Sequence, residues 1–212
     1  MLPPYAPDKT LSRAEAALSI VSPRSVLVQS PAQIALAVRS GIPAFASLRL
    51  NVFNDRCAQE IIRLGAAAIT ASPEIPLGAV RAMSVPRAVI AYGRLPLMLT
   101  LRCAISDGGS CCTLDGTGGF HENTEKPHLC RASLTDRTGT AFPLIGMYDG
   151  SNVLYNSVPL YMADRMDTLI RCGAGVHHFI FSDETKAEAA RVIRAYREGI
   201  PPADPAAIRR LK

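Results

Sequence analysis

The sequence predicts an α/β protein: a partial, TIM-barrel-like (β/α) domain interrupted by a cysteine-bearing insertion. Short apolar runs alternate with helical patterns through the first half of the 212 residues, and parallel strands need a crossover that a helix supplies compactly. The runs are nearly continuous in apolar character, as expected of strands covered on both faces. The alternation stops at Gly93 and returns near Pro159, and residues 93–160 hold four of the six cysteines. That segment reads as an insertion carrying a site within one domain spanning residues 1–212.

Ser25–Gln29 (SVLVQ) reads as a buried strand. Ser30-Pro31 opens a helix with proline in its first turn, and Gly41 closes it. Ala44–Val52 alternates as a strand. Asn54-Asp55 caps the next helix, with Ala58, Ile61, Ile62 and Leu64 on one face and Gly65 at its end. Ala66–Ala71 is a third strand, Ser72-Pro73-Glu74 starts a helix reaching Met83, and Arg87–Tyr92 is a fourth strand. Within the insertion, Asp136-Arg137-Thr138-Gly139 is a hairpin turn. Afterwards Tyr161–Arg171 is helical, Gly175–Phe181 is a strand, and Asp183–Glu198 is a helix capped by Ser182 or Asp183, with Glu184 facing its dipole. The proline-rich tail from Gly199 reads as loose. The total is about five strands, whereas a closed barrel takes about eight strands and roughly 250 residues.

Hydrophobic residues make up 48% of the chain, enough for a buried core. The formal charge of +5 is mild, and along the sequence the arginines are scattered. A solvated surface is the preferred reading over a nucleic-acid footprint. Met1–Tyr5 lacks a basic stretch followed by an apolar one, and no window offers about 18 uninterrupted apolar residues. The expectation is a cytoplasmic protein without a membrane span, whose thiols stay free or bind metal.

Cys103, Cys111, Cys112 and Cys130 lie in a glycine-rich, irregular stretch. Thiolates gathered there suit an iron–sulfur cluster or zinc, although a paired C-x-x-C knuckle is missing. Adjacent side chains diverge, so the spacing leaves open which of Cys111 and Cys112 is a ligand. His121 and His128 flank these cysteines as second-choice ligands. Cys57 and Cys172 read as small buried hydrophobes. His177-His178 falls in a strand, where one side chain faces in and one out. No Gly-x-Ser-x-Gly or His-Glu-x-x-His motif is present. The catalytic candidates are Glu74, after the third strand, and Arg94 and Arg137, whose planar forks suit an anionic substrate. Glu74 is equally a first-turn carboxylate near a helix dipole, and Arg137 equally an anchor of its turn.

Several stretches occur together in order: Leu50-Asn51-Val52-Phe53-Asn54, Ser72-Pro73-Glu74, Tyr92-Gly93-Arg94-Leu95-Pro96-Leu97-Met98 with Cys103, Leu134–Gly139 with Phe142-Pro143, and Tyr155-Asn156-Ser157-Val158-Pro159-Leu160. Over residues 43–198 this pattern resembles the peptidase U32, or collagenase-like, family. The resemblance implies a barrel-like β/α fold and a 4Fe–4S cluster, with zinc or no metal as the alternatives. It assigns Cys103, Cys111, Cys112 and Cys130 as the ligands. It implies either hydroxylation-type modification of RNA or a quinone precursor, or a peptidase. Pro96 stands where many members have a cysteine, as in a Tyr-Gly-x-Leu-Pro-Leu subgroup, and Asp149–Asn152 lacks another thiol that many members carry. The family's first strands have no counterpart here. The expected partner is therefore a second copy (a homo-oligomer) or a separate chain completing the barrel. A non-catalytic, cluster-bearing subunit of such a pair is the alternative to an enzyme.

Overall fold

Five parallel strands curl into a half-barrel sheet ordered β1-β2-β3-β4-β10. They are β1 (Val26–Val28), β2 (Ala44–Ala46), β3 (Ala66–Thr70), β4 (Arg87–Gly93) and β10 (Val176–Ile180). The computed structural model describes residues 1–4, 8–101, 104–105, 130–147 and 151–211. These sort into two compact units. The first is Met1–Ala91, Met162–Phe179 and Arg210–Lys212, and the second is Tyr92–Tyr161 and Ile180–Arg209.

In the first unit, α1 (Asp8–Val21) precedes the sheet. Helix α2 (Pro31–Arg39) starts at the expected Ser30-Pro31, with the Ser30 hydroxyl accepting from the Gln33 amide. Gly41, at φ +65°, follows the helix and reverses the chain. Helix α3 (Asp55–Arg63) is capped by Asn54, whose side chain accepts from the Cys57 amide. Ala58 and Ile61 are buried beneath it, but Leu64 lies outside the helix and is exposed. Register runs Val26↔Ala44 and Val28↔Ala46, then Ile69↔Arg87 and Thr70↔Ala88. Ile34, Leu36, Val28, Ile69 and Leu169 are among the most buried side chains of this unit.

Three boundaries differ from the sequence reading. The strand expected over 44–52 ends at Ala46, because Leu48–Leu50 forms a 3-10 turn and Asn51 is left-handed. Val52 rejoins the sheet only as an isolated parallel bridge to Ala71, beyond the end of β3. Helix α4 (Leu77–Arg81) starts after Pro76 rather than at Ser72. A residue preceding proline is disfavoured in helical backbone, which keeps Ile75 out of the helix and leaves 72–75 as a turn. Helix α5 (Met166–Arg171) is likewise short, since Leu160–Tyr161 is strand β9 and Ala163–Arg165 a 3-10 turn.

The second unit holds a four-stranded antiparallel sheet ordered β5-β8-β7-β6. Its strands are β5 (Pro96–Thr100), β6 (Arg131–Thr135), β7 (Ala141–Gly146) and β8 (Asn152–Tyr155). The expected hairpin joins β6 to β7 with Leu134↔Phe142 in register. Asp136 accepts from the Thr138 and Thr140 amides, and Gly139 takes φ +84°. β9 pairs with the end of β4, Tyr92 opposite Tyr161 and Gly93 opposite Leu160. Helix α6 (Lys186–Glu198) begins three residues after Ser182-Asp183. Thr185 is its cap, in a reciprocal box with Glu188. The tail is not loose: Arg209 bridges Leu160, and the Tyr161 hydroxyl donates to the Ile200 carbonyl at 2.8 Å.

Candidate functional site

Within the second unit, an open cleft of about 320 Å³ is lined by Tyr92, Arg94, Pro159, Asp183, Glu184, Glu188, Arg191 and Val192. Two chain segments that follow strands build most of it. Tyr92 and Arg94 sit at and just beyond the end of β4, and Asp183 and Glu184 fill the turn between β10 and α6. Both strands are parallel, and the C-terminal ends of such strands are where β/α folds place their sites.

Several polar groups of the cleft have defined partners. The Tyr92 hydroxyl donates to Glu184 Oε1 at 2.9 Å. The other oxygen, Oε2, accepts from the Ser182 amide at 2.7 Å and the Asp183 amide at 3.2 Å. Burial first, and the neighbouring Glu184 carboxylate second, push the Tyr92 phenol well above its ordinary pKa. The Tyr92 ring packs against Tyr161, Phe181 and Tyr196, with centroids at 6.3, 5.5 and 6.3 Å. Edge and tilted arrangements of this kind are the favourable ones for aromatic pairs.

Arg94 is the sequence candidate that the structure places in the cleft. Its Nε donates to Asp183 Oδ1 at 3.3 Å, and its Nη1 to the carbonyls of Asn156 (3.2 Å) and Ser157. Its Nη2 has no partner among the described residues. Three of the guanidinium contacts therefore tie β4's end to the 156–157 segment and the 183 turn, and one amine remains for a ligand.

The other two candidates lie elsewhere. Glu74 is exposed in the turn after β3, its amide donating to Ser72 Oγ at 3.4 Å. Its carboxylate has no partner among the described residues. Arg137 is exposed at the tip of the β6–β7 hairpin and does not line the cleft. Cys103, Cys111 and Cys112, with His121 and His128, lie outside the described residues. Cys130 precedes β6 and is disulfide-bonded. Among the described residues no group of three or more His, Cys, Asp or Glu is arranged to hold a metal ion. Cys172 is buried, with its thiol directed at the Leu169 carbonyl (2.9 Å), but Cys57 is half-exposed in the first turn of α3. The two strand histidines do diverge. His178 Nδ1 meets Thr70 Oγ1 at 3.2 Å, while His177 is linked to the Leu169 backbone on α5.

Asp183, Glu184, Glu188 and Arg191 were not singled out as site residues from the sequence. Ser182-Asp183-Glu184-Thr185 reads as a helix start, which it is, and that local role masked the other. The available signal was position: an acidic turn directly after a parallel strand. No family model matches this chain, and no curated protein or solved structure matches it.

Proposed function

We propose that the chain is a U32-type protein acting in hydroxylation-type modification of an RNA or a quinone precursor rather than in proteolysis. One observation carries the proposal. Tyr92-Gly93-Arg94 and Tyr155–Leu160, two motifs of the family resemblance some 60 residues apart in sequence, meet at a single cleft. Arg94 holds the Asn156 and Ser157 carbonyls, and Pro159 lines the same wall. Arg94 serves as a positioning residue, with Nη2 as the donor left for a polar ligand group. The lining contains no Ser, Cys or His, so no nucleophile–base pair for peptide cleavage is assembled there.

A 4Fe–4S cluster on Cys103, Cys111, Cys112 and Cys130 belongs to this proposal through the resemblance. Cys130 does not fit it as it stands, because a disulfide sulfur is not a thiolate ligand. No chemical step is therefore drawn through a cluster. Cytoplasmic placement is part of the same reading, since a reducing compartment opens such a bond. The second reading, a subunit of a two-chain barrel, is favoured by the five-strand half-barrel itself.

The test is anaerobic, reductive purification followed by iron and sulfide analysis. Both elements are expected together in the wild type, lowered in Cys130→Ser and unchanged in Cys57→Ser. Zinc without iron removes the cluster. Gelatin cleavage that survives stringent purification and disappears in Glu184→Gln restores the peptidase reading.

A further inference from the structure

Helix α6 gathers arginines that look scattered in the sequence. Arg191, Arg194 and Arg197 recur at every third position, about 4.5 Å apart along the axis and within roughly 120° of arc. All three are exposed, and exposed Ala187 and Ala190 fall on the same arc just before Arg191, with Lys186 at the N-terminal end. Small side chains there leave room for a polymer to approach the guanidinium groups. Acidic partners do not neutralise this face. Arg191 faces Glu188 at 3.9 Å with its side chain 73% exposed, a distance and exposure that give little attraction. Arg194 and Arg197 form no ion pair among the described residues. Among the residues of α6 itself, the acid that shares this arc is Glu198, at the helix's last position.

The same arginine series borders the cleft, because Arg191 lines it. Of the eight lining residues only Pro159 and Val192 are wholly aliphatic. Such a wall is ill suited to an apolar quinone precursor, which needs a largely hydrophobic pocket. The cleft's own acids, Asp183, Glu184 and Glu188, repel phosphate, so a polyanion is directed to the outer face of α6 instead.

We infer that the outer face of α6, through Arg191, Arg194 and Arg197, docks the phosphate backbone of an RNA whose modified part is presented to the adjoining cleft. This inference rests on the RNA branch of the proposed function and selects it over the quinone branch. Arginine suits the task because its planar fork matches phosphate geometry. Sequence reading is not expected of this face, since phosphate contacts position a strand without specifying it.

The test is fluorescence anisotropy of the full chain with a mixed-sequence single-stranded RNA oligonucleotide. Three phosphate contacts predict a slope of roughly −2 in log affinity against log salt. Raising salt from about 50 to 200 mM then weakens binding about 16-fold. R191Q/R194Q/R197Q is expected to lose about tenfold or more in affinity and most of the slope, with an unchanged circular dichroism spectrum. The matching Arg→Lys triple variant keeps the slope, and R39Q/R63Q, in the first unit, keeps both slope and affinity. The inference is overturned by wild-type RNA binding in the Gln triple variant, by no RNA binding at low salt, or by anionic lipid vesicles binding through these arginines in preference to RNA. Iron and sulfide content is measured separately, so a wild type that holds the cluster but binds no RNA at low salt rejects the docking face alone.

Discussion

Gly93 ends β4 at φ +119°, and a Cβ placed on it overlaps the Ile180 carbonyl. Both backbone strain and that close approach demand glycine, so Gly93→Ala is expected to destabilise the fold by roughly 2–4 kcal/mol. Gly139→Ala is the matched control. Its φ is +84° but open space surrounds it, so left-handed strain alone costs about 1–2 kcal/mol. Denaturant midpoints at constant slope measure both. Tyr92 gives a pH prediction of definite sign. Its folded pKa is raised, so the folded state holds the phenolic proton after the unfolded chain, near pH 10, has released it. The stabilisation is complete below about pH 10 and is lost as pH rises beyond it. Urea titrations between neutral and alkaline pH should show a smaller alkaline loss in Tyr92→Phe than in the wild type. Arg94 was legible as a site candidate because its planar guanidinium fork suits an anionic substrate. Its partner Asp183 was not, because a carboxylate before a helix satisfies a local rule that conceals a tertiary one.

Among the elements, those with strong local signals were legible. Ser30-Pro31 and Asn54-Asp55 set the starts of α2 and α3, and the Asp136–Gly139 turn set the β6–β7 hairpin. Strands β5 and β8 were not, since Pro96–Thr100 and Asn152–Tyr155 lack polar alternation and owe their structure to sheet pairing, β5 with β8 and β8 with β7. The start of α6 was misplaced because Ser182, Asp183 and Thr185 are all competent caps. Thr185 wins through its reciprocal bond with Glu188. Thr185→Ala should therefore cost about 1 kcal/mol, read as a lower thermal midpoint. On β10, burial lowers the pKa of both His177 and His178. The unfolded chain takes up their protons first, so stability is full above about pH 6.5 and falls as pH drops below it. H177Q/H178Q should flatten that acid limb if these histidines are its source.

On the scale of the whole molecule, the expected five strands and their parallel order were legible in the apolar runs and helical crossovers. The treatment of the sheet's free edge was not, because it depends on residues far apart in sequence. β1 is an edge strand, and its outward Leu27 carbonyl accepts from the Leu2 amide at 3.0 Å. Gln29 and Gln33 donate side-chain hydrogen bonds to the Leu2 and Pro3 carbonyls. The edge is therefore covered by one backbone bond and two amide side chains, a light cover beside a full strand. Five strands also do not close a barrel, which takes about eight in the TIM-type fold. No described helix is long and apolar enough to cross a membrane. The expectation that follows is association, with a second copy or a separate chain adding strands beside β1. Sedimentation of the full chain at rising concentration should show a species heavier than the monomer, and removal of Met1–Pro4 should strengthen self-association by uncovering Leu27. A chain that stays monomeric at high concentration, with the Leu2 amide protected from hydrogen exchange, identifies the N-terminal segment as a sufficient cap. Deletion of Met1–Pro4 that leaves both mass and solubility unchanged shows that the edge recruits nothing and that the half-barrel is stable alone.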